Sequence, residues 1–142
     1  MPFRVLEKDS AADIALEASA PSLAMLFGEC ALGVENQMAD IATLARSRSV
    51  SFSLSAPEPE KLLFQFLNEL LFFKDAQQLL FGKISVQIDE KGGKWTLTAK
   101  CWGEKINPKK HELLNDVKAC TFHGLSVQKQ GKNWKARVLL DV

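Results

Sequence analysis

No run of apolar residues in this chain approaches the roughly 18 that a bilayer span needs, so membrane insertion is not expected. Net charge is also missing: 18 Lys plus Arg against 17 Asp plus Glu leave +1, too little to hold a polyanion by overall field. Any nucleic acid is therefore expected to be touched locally or reached through a partner. Cysteine is scarce and unpatterned. Cys30, Cys101 and Cys120 form no CxxC pair and leave one over in any disulfide scheme, so they read as buried thiols in a reducing compartment. The opening residues mix charge with apolar side chains and lack a signal core, which points to the cytoplasm. There is no internal repeat and no Gly/Ser linker, and the sequence has no Gly-x-Ser-x-Gly elbow, His-Glu-x-x-His pair or Gly-rich phosphate loop.

What remains is ordinary globular material, with 46% hydrophobic and 25% charged residues over 142 positions. A single domain over 1–142 is expected, burying roughly 68 to 70% of the surface its unfolded chain exposes. Phe3 and Val5, then Ile14, Leu16 and Ala18, alternate with polar neighbours as short strands do. Ser22 caps a helix with apolar positions Leu23, Leu26, Phe27, Cys30, Val34, Met38 and Ile41. Val50, Phe52 and Leu54 alternate with serines in a further strand that Pro57 and Pro59 stop. A second helix is expected from about Glu60 to Leu80, with an apolar arc wide enough to touch a sheet and the other helix together. Phe72 falls in its polar stripe and is read as covered by a loop. After Gly82 the alternation of Ile84, Val86 and Ile88 returns through Lys91-Gly92-Gly93-Lys94 to Trp95, Leu97, Ala99 and Cys101, a hairpin. Val117 to Val127 and Trp134 to Leu140 read as two closing strands. The pattern predicts an α+β fold, two helices packed on a mostly antiparallel sheet system, with strand order open.

Side chains alternate across a strand, so Asp141 lies on the side opposite Trp134, Ala136, Val138 and Leu140, and Asp13 on the side opposite Ile14, Leu16 and Ala18. If those strands are neighbours, the two aspartates meet. The carboxylate of Val142 would add oxygens within a few ångströms, and clustered oxygens suit hard divalent cations. On spacing alone the simpler account is a solvated aspartate and an ordinary terminus. His111 and His123 are too few for zinc and read as residues serving a loop and a turn. Lys105, Lys109 and Lys110 beside Trp102 read as solvated lysines around a packed ring, with RNA phosphate contact and base stacking as the alternative.

Four segments taken in order carry a more specific signal. They are Leu62-Leu63-Phe64-Gln65-Phe66-Leu67-Asn68-Glu69-Leu70-Leu71-Phe72, then Gly103-Glu104 with Asn107-Pro108-Lys109-Lys110-His111-Glu112. Val117-Lys118-Ala119-Cys120-Thr121-Phe122-His123-Gly124-Leu125 and the closing Leu140-Asp141-Val142 complete the series. With these the chain resembles the archease family essentially end to end. The resemblance implies an accessory protein, not itself an enzyme, that activates an RNA-splicing ligase in tRNA splicing or RNA repair. It would promote guanylylation and multiple turnover of the ligase, with RNA reached only indirectly and no membrane involved. It also implies a divalent cation, calcium by the family's habit with magnesium or manganese as alternatives, whose ligands map onto Asp13, Asp141 and Val142. Lys110, His111 and Lys118 lie in the matched motifs and are expected to contact the ligase or its nucleotide. The family's Asp-His-Thr-Ala-Asp segment stands here as Asp9-Ser10-Ala11-Ala12-Asp13, and Ala15 replaces a usual Gly. Losing the His and Thr that would orient the ligands is expected to weaken the cation, by about tenfold to a hundredfold where such partners matter. Two rival functions fit less well: a metal-dependent phosphoester hydrolase, which lacks a placed general base, and a folding or assembly helper working through an apolar patch such as Phe72.

Overall fold

The computed structural model describes residues 3–6 and 13–142; the segment that holds Asp9, Ser10 and Ala11 lies outside them. In chain order the elements are β1 (Phe3–Val5), β2 (Asp13–Ala20), α1 (Leu23–Met38), β3 (Arg48–Ala56), α2 (Pro59–Gln77), β4 (Leu79–Lys91), β5 (Lys94–Lys105), β6 (Ala119–Gln130) and β7 (Asn133–Asp141). The strands form two antiparallel sheets, ordered β1-β2-β7-β6 and β3-β5-β4. Both helices lie between the sheets and each touches both. This is why the apolar arc of α2 is so wide: Leu62, Leu63, Phe66, Leu67 and Leu70 are all fully buried. Phe27 of α1 stacks on Phe66 with centroids 6.2 Å apart, and Phe52 reaches Phe66 from β3 at 6.0 Å, so three elements share one aromatic seam.

Local chemistry sets most boundaries. Ser22 caps α1, its hydroxyl accepting the Met25 N–H at 3.2 Å. Pro59 opens α2 where its missing N–H costs nothing. The Gly92-Gly93 hairpin has φ of +58° and +80° between paired Lys91 and Lys94, the positive-φ pair that a tight two-residue turn demands. Two expectations are corrected. The second helix stops at Gln77, because Gln78 adopts the left-handed conformation (φ 56°) and turns the chain, so Leu79 and Leu80 open β4 instead. Phe72 is not covered by a loop; it is 56% exposed and leans edge-on against Phe73.

Asn68 explains the polar break in the apolar run of α2. Its side-chain amide accepts the Cys120 N–H and donates to the Cys120 carbonyl, both at 3.0 Å. Since β6 is an edge strand, this amide supplies the hydrogen bonds that a neighbouring strand would otherwise make there. The three thiols are buried as expected, and burial pushes those of Cys101 and Cys120 up to about 12.

Glu35 is the anomaly of the middle layer. It is fully buried in α1, and neither carboxyl oxygen makes a well-formed hydrogen bond, the Phe81 backbone being near but off its geometry. Burial drives its carboxyl well above the ordinary range; the Phe81 backbone and Lys74 pull the other way but do not win. The fold therefore favours the protonated form of this group more than the unfolded chain does. Stability from this linkage is fully present below the usual carboxylate value and is lost as pH rises toward the folded one. Urea denaturation from pH 5 to 9 should show that decline, and Glu35→Gln should flatten it. Glu35→Leu, which removes two unsatisfied oxygens, should raise stability by about 1–3 kcal/mol at pH 8. A Glu35→Gln profile as steep as that of the unsubstituted protein would refute this.

Candidate functional site

Strands β2 and β7 run antiparallel in a register that sets Asp13 directly opposite Asp141, with Ile14 opposite Leu140 and Leu16 opposite Val138. The buried pairs fix the alignment, because a slip of one residue would send Leu16 and Leu140 into water. Directly opposed residues have Cβ atoms about 4.5–5.5 Å apart and share a face. The sequence expectation that the two aspartates meet is conditional on adjacency of these strands, and the strands are adjacent. Two carboxylates in this relation repel unless a positive group lies with them.

The surroundings supply anchoring from three directions. Ala119 of β6 pairs with Asp141 on its other side, and the Lys118 N–H donates to the Asp141 carbonyl at 2.8 Å. Val142 is half-buried and packs on the core, so the residue after Asp141 is held. Lys74 of α2 reaches the preceding loop: its buried ammonium donates to the Val117 carbonyl at 2.6 Å and to Asp116 at 2.9 Å, with Asp75 at 3.0 Å. Burial alone would lower the Lys74 pKa, but the two carboxylates outweigh it and hold it above its usual value. A continuous chain of contacts thus runs from α2 through Val117 and Lys118 to Asp141. Lys118 itself is exposed. Further along the same face, burial pushes the Glu17 carboxyl upward, yet Arg4 at 2.8 Å and Lys135 at 3.4 Å bring its pKa below the ordinary value.

Lys110 and His111 occupy a different place. Glu104 of β5 is a hub that accepts the Ala45 N–H and the Lys110 ammonium at 2.7 Å, and it faces His111 Nε2 at 3.2 Å, off the line of a true hydrogen bond. His111 Nδ1 accepts the Asn107 N–H at 3.0 Å, which places the ring proton on Nε2, toward the carboxylate. His111 is buried and serves its loop, and Lys110 is tied to Glu104. Gly103 makes this hub possible. A Cβ there would sit 1.8 Å from the Leu80 carbonyl oxygen, so only glycine lets β4 bend across β5 at its bulge and leave Glu104 facing the loop. Sequence reasoning missed both the Glu104 hub and the Lys74 clamp; the Gly103-Glu104 dipeptide was the one available signal for the first. His123 lies exposed in the β6 bulge, where its carbonyl accepts the Thr121 hydroxyl at 2.9 Å.

Among the described residues no three His, Cys, Asp or Glu side chains gather as a metal cluster. Asp13 and Asp141 provide two carboxylates, too few by themselves to complete the roughly six to eight oxygens of a calcium shell. Oxygen donors alone suit hard cations and not zinc.

Fold and site together define a class: a three-layer α+β domain with paired helices between antiparallel sheets and two acids set across a strand ladder. The family model described as Archease protein family (MTH1598/TM1083) matches residues 3–142, and the chain belongs to the archease family. It is 31% identical over 132 residues to the protein archease of Pyrococcus furiosus, covering 92% of this chain and 93% of that one. To the protein archease of Sulfolobus acidocaldarius it is 34% identical over 134 residues, covering 94% and 95%. The solution structure of Methanobacterium thermoautotrophicum protein 1598 superimposes with a TM-score of 0.87 at 33% identity over 99% of both chains. The crystal structure of a Thermotoga maritima protein described as an archease, possible chaperone, shares the fold at a TM-score of 0.62 and 20% identity over 96% of each chain.

The Glu104 hub generates a prediction in acid. Its carboxyl is held down to about 2, by the Ala45 N–H first and then by Lys110, with His111 assisting against a small desolvation. Stability from this group is present above the usual carboxylate value and is lost as pH falls toward 2. Glu104→Gln should lower the unfolding midpoint at pH 6 and have a shallower acid limb between pH 5 and 3. Hydrogen exchange should speed up at Ala45, which loses its charged acceptor. Unchanged Ala45 protection in Glu104→Gln would refute the hub.

Proposed function

We propose that this chain is the accessory protein of an RNA-splicing ligase, promoting guanylylation and repeated turnover of that enzyme in tRNA splicing or RNA repair, with the cytoplasm as its setting. The observation that supports this reading is the direct Asp13–Asp141 pairing at the end of the β2–β7 ladder, on the two positions to which family resemblance assigns metal ligands.

The residues fit a hard divalent cation in kind. Two opposed carboxylates and the oxygens of Val142 are hard donors of the kind such a cation takes. A bound ion, calcium by the family's habit, would supply concentrated positive charge for orienting phosphate oxygens. The protein's own part is positional. Asp13 and Asp141 hold their carboxylates in a ladder that Leu16, Val138 and Leu140 pin from the core side. Lys118 presents an exposed ammonium beside that ladder, suited to a phosphate or to a carboxylate of the ligase. Lys74 keeps the Lys118 segment in place by gripping Val117. The buried ring of His111 and the engaged ammonium of Lys110 leave Lys118 as the better placed of the three predicted contact residues.

The test is a reconstituted guanylylation assay with the cognate ligase and GTP. Asp13→Asn or Asp141→Asn should reduce the stimulated rate at least about tenfold, toward the ligase-alone rate, the scale on which removal of ligand-supporting groups acts. Lys118→Ala should weaken stimulation with a smaller effect. In parallel, calcium titrated into the unsubstituted protein should raise its melting midpoint, as ligand binding to the native state requires, and should not raise that of Asp13→Asn. Full stimulation by both aspartate variants would overturn the reading.

A further inference from the structure

The outer face of the β3-β5-β4 sheet is open to solvent along its length. Pairing across β5 places Trp102 opposite Lys83, and Lys100 between Ser51 and Ser85 in the next row, followed by Thr98. Both ammonium groups converge on the half-exposed indole: Lys83 Nζ lies 4.8 Å and Lys100 Nζ 5.2 Å from the Trp102 ring centre. The lysines near Trp102 are thus these two, from the strands, and not the loop residues Lys105, Lys109 and Lys110 that sequence proximity suggested. Among the described residues neither Lys83 nor Lys100 makes an ion pair. The nearest acids of this face are at its ends: Asp89 opposite Thr96, and Glu104, already occupied by Lys110 and the Ala45 N–H. A chain with a net charge of only +1 therefore carries a local face that is cationic, rich in hydroxyls and centred on an aromatic ring.

We propose that this face binds single-stranded RNA, with a base stacked on Trp102, Lys83 and Lys100 on the flanking phosphates, and the serine and threonine hydroxyls toward the sugar-phosphate backbone. The chemistry favours this occupant over an acidic peptide. A carboxylate chain would use the two lysines and leave the indole idle, whereas an RNA strand brings alternating anions and flat rings that use both. Exposed cation–π contacts are weak, so the ammonium groups can exchange the ring for phosphate oxygens, a stronger charge-assisted partner, and free the indole for the base. The sheet pleat spaces these groups rigidly. The proposal does not rest on the ligase reading and departs from the expectation that RNA is reached only indirectly; this face and the Asp13–Asp141 pair lie on different sheets.

The test is fluorescence anisotropy at low salt with a labelled uridine RNA of about ten nucleotides, within the span one such sheet surface covers. Expected is a complex that Trp102→Leu weakens by about tenfold. The Lys83→Ala/Lys100→Ala pair should flatten the log affinity against log salt slope by about 1.4, the value for two lost phosphate contacts on a single strand. Lys91→Ala, in the hairpin away from the ring, should leave binding unchanged. Circular dichroism and melting midpoints confirm that the variants are folded. No complex at low salt, binding indifferent to both Trp102 and the lysine pair, or equal affinity for a polyglutamate peptide of the same length would each overturn the proposal. Asp13→Asn should bind RNA normally, so a failure of this site and a failure of ligase stimulation are read separately.

Discussion

The register between β2 and β7 is the constraint on which the rest depends. It joins residues from the two ends of the sequence, and it is set by apolar pairs with no tolerance for a shift: Leu16 against Val138 and Ile14 against Leu140, all buried. Side chains on a strand alternate, so the same alignment that buries these pairs delivers Asp13 and Asp141 to one place on the opposite face. The acids are positioned by hydrophobic packing one residue away. No separate device is needed to bring them together.

The helices hold this alignment from inside. Each helix touches both sheets and keeps only a narrow wet stripe, and the few polar residues they bury mark places where they grip the strands. Asn68 grips edge strand β6 through both backbone groups of Cys120. Lys74 holds the Val117 carbonyl one residue before Lys118, which itself binds the Asp141 carbonyl. Buried polar groups that are fully paired fix a unique arrangement, and these two act where the strand leading to the acids enters its sheet. Glu35 is the exception, a buried carboxyl with no well-formed hydrogen bond, and its raised pKa predicts a fold stronger in mild acid than in base.

Much of this was legible in the sequence because period and turn chemistry agreed: the Ser22 cap, the Gly92-Gly93 hairpin and the alternation in β7 all point one way. The acids were legible only as a conditional, since alternation says which face a residue takes but not which strand lies beside it. Helix α2 was extended too far because Leu79 and Leu80 continue its apolar run, and nothing in Gln78 announces a left-handed turn of the kind usually given to glycine or asparagine. The partners of Trp102 were misread for a related reason. Lys83 is distant in sequence and arrives through pairing across β4 and β5, a register that the expected Gly92-Gly93 hairpin already implied but that was not followed out to Trp102. Glu104 could not be weighted without knowing that Gly103 lets the Leu80 carbonyl pass so close.

The β2–β7 ladder also governs when the molecule can come into being. Residues 13–20 leave the ribosome long before residues 134–141 and until then lack the β7 side of their ladder, while the β4–β5 hairpin can close as soon as its own turn is made. Loop closure over so long a separation is slow, so maturation is expected to begin in the β3-β5-β4 layer and finish at the acid pair. Until translation has delivered the last strand, the nascent chain holds β2 without its β7 neighbour and Asp13 without Asp141 across from it.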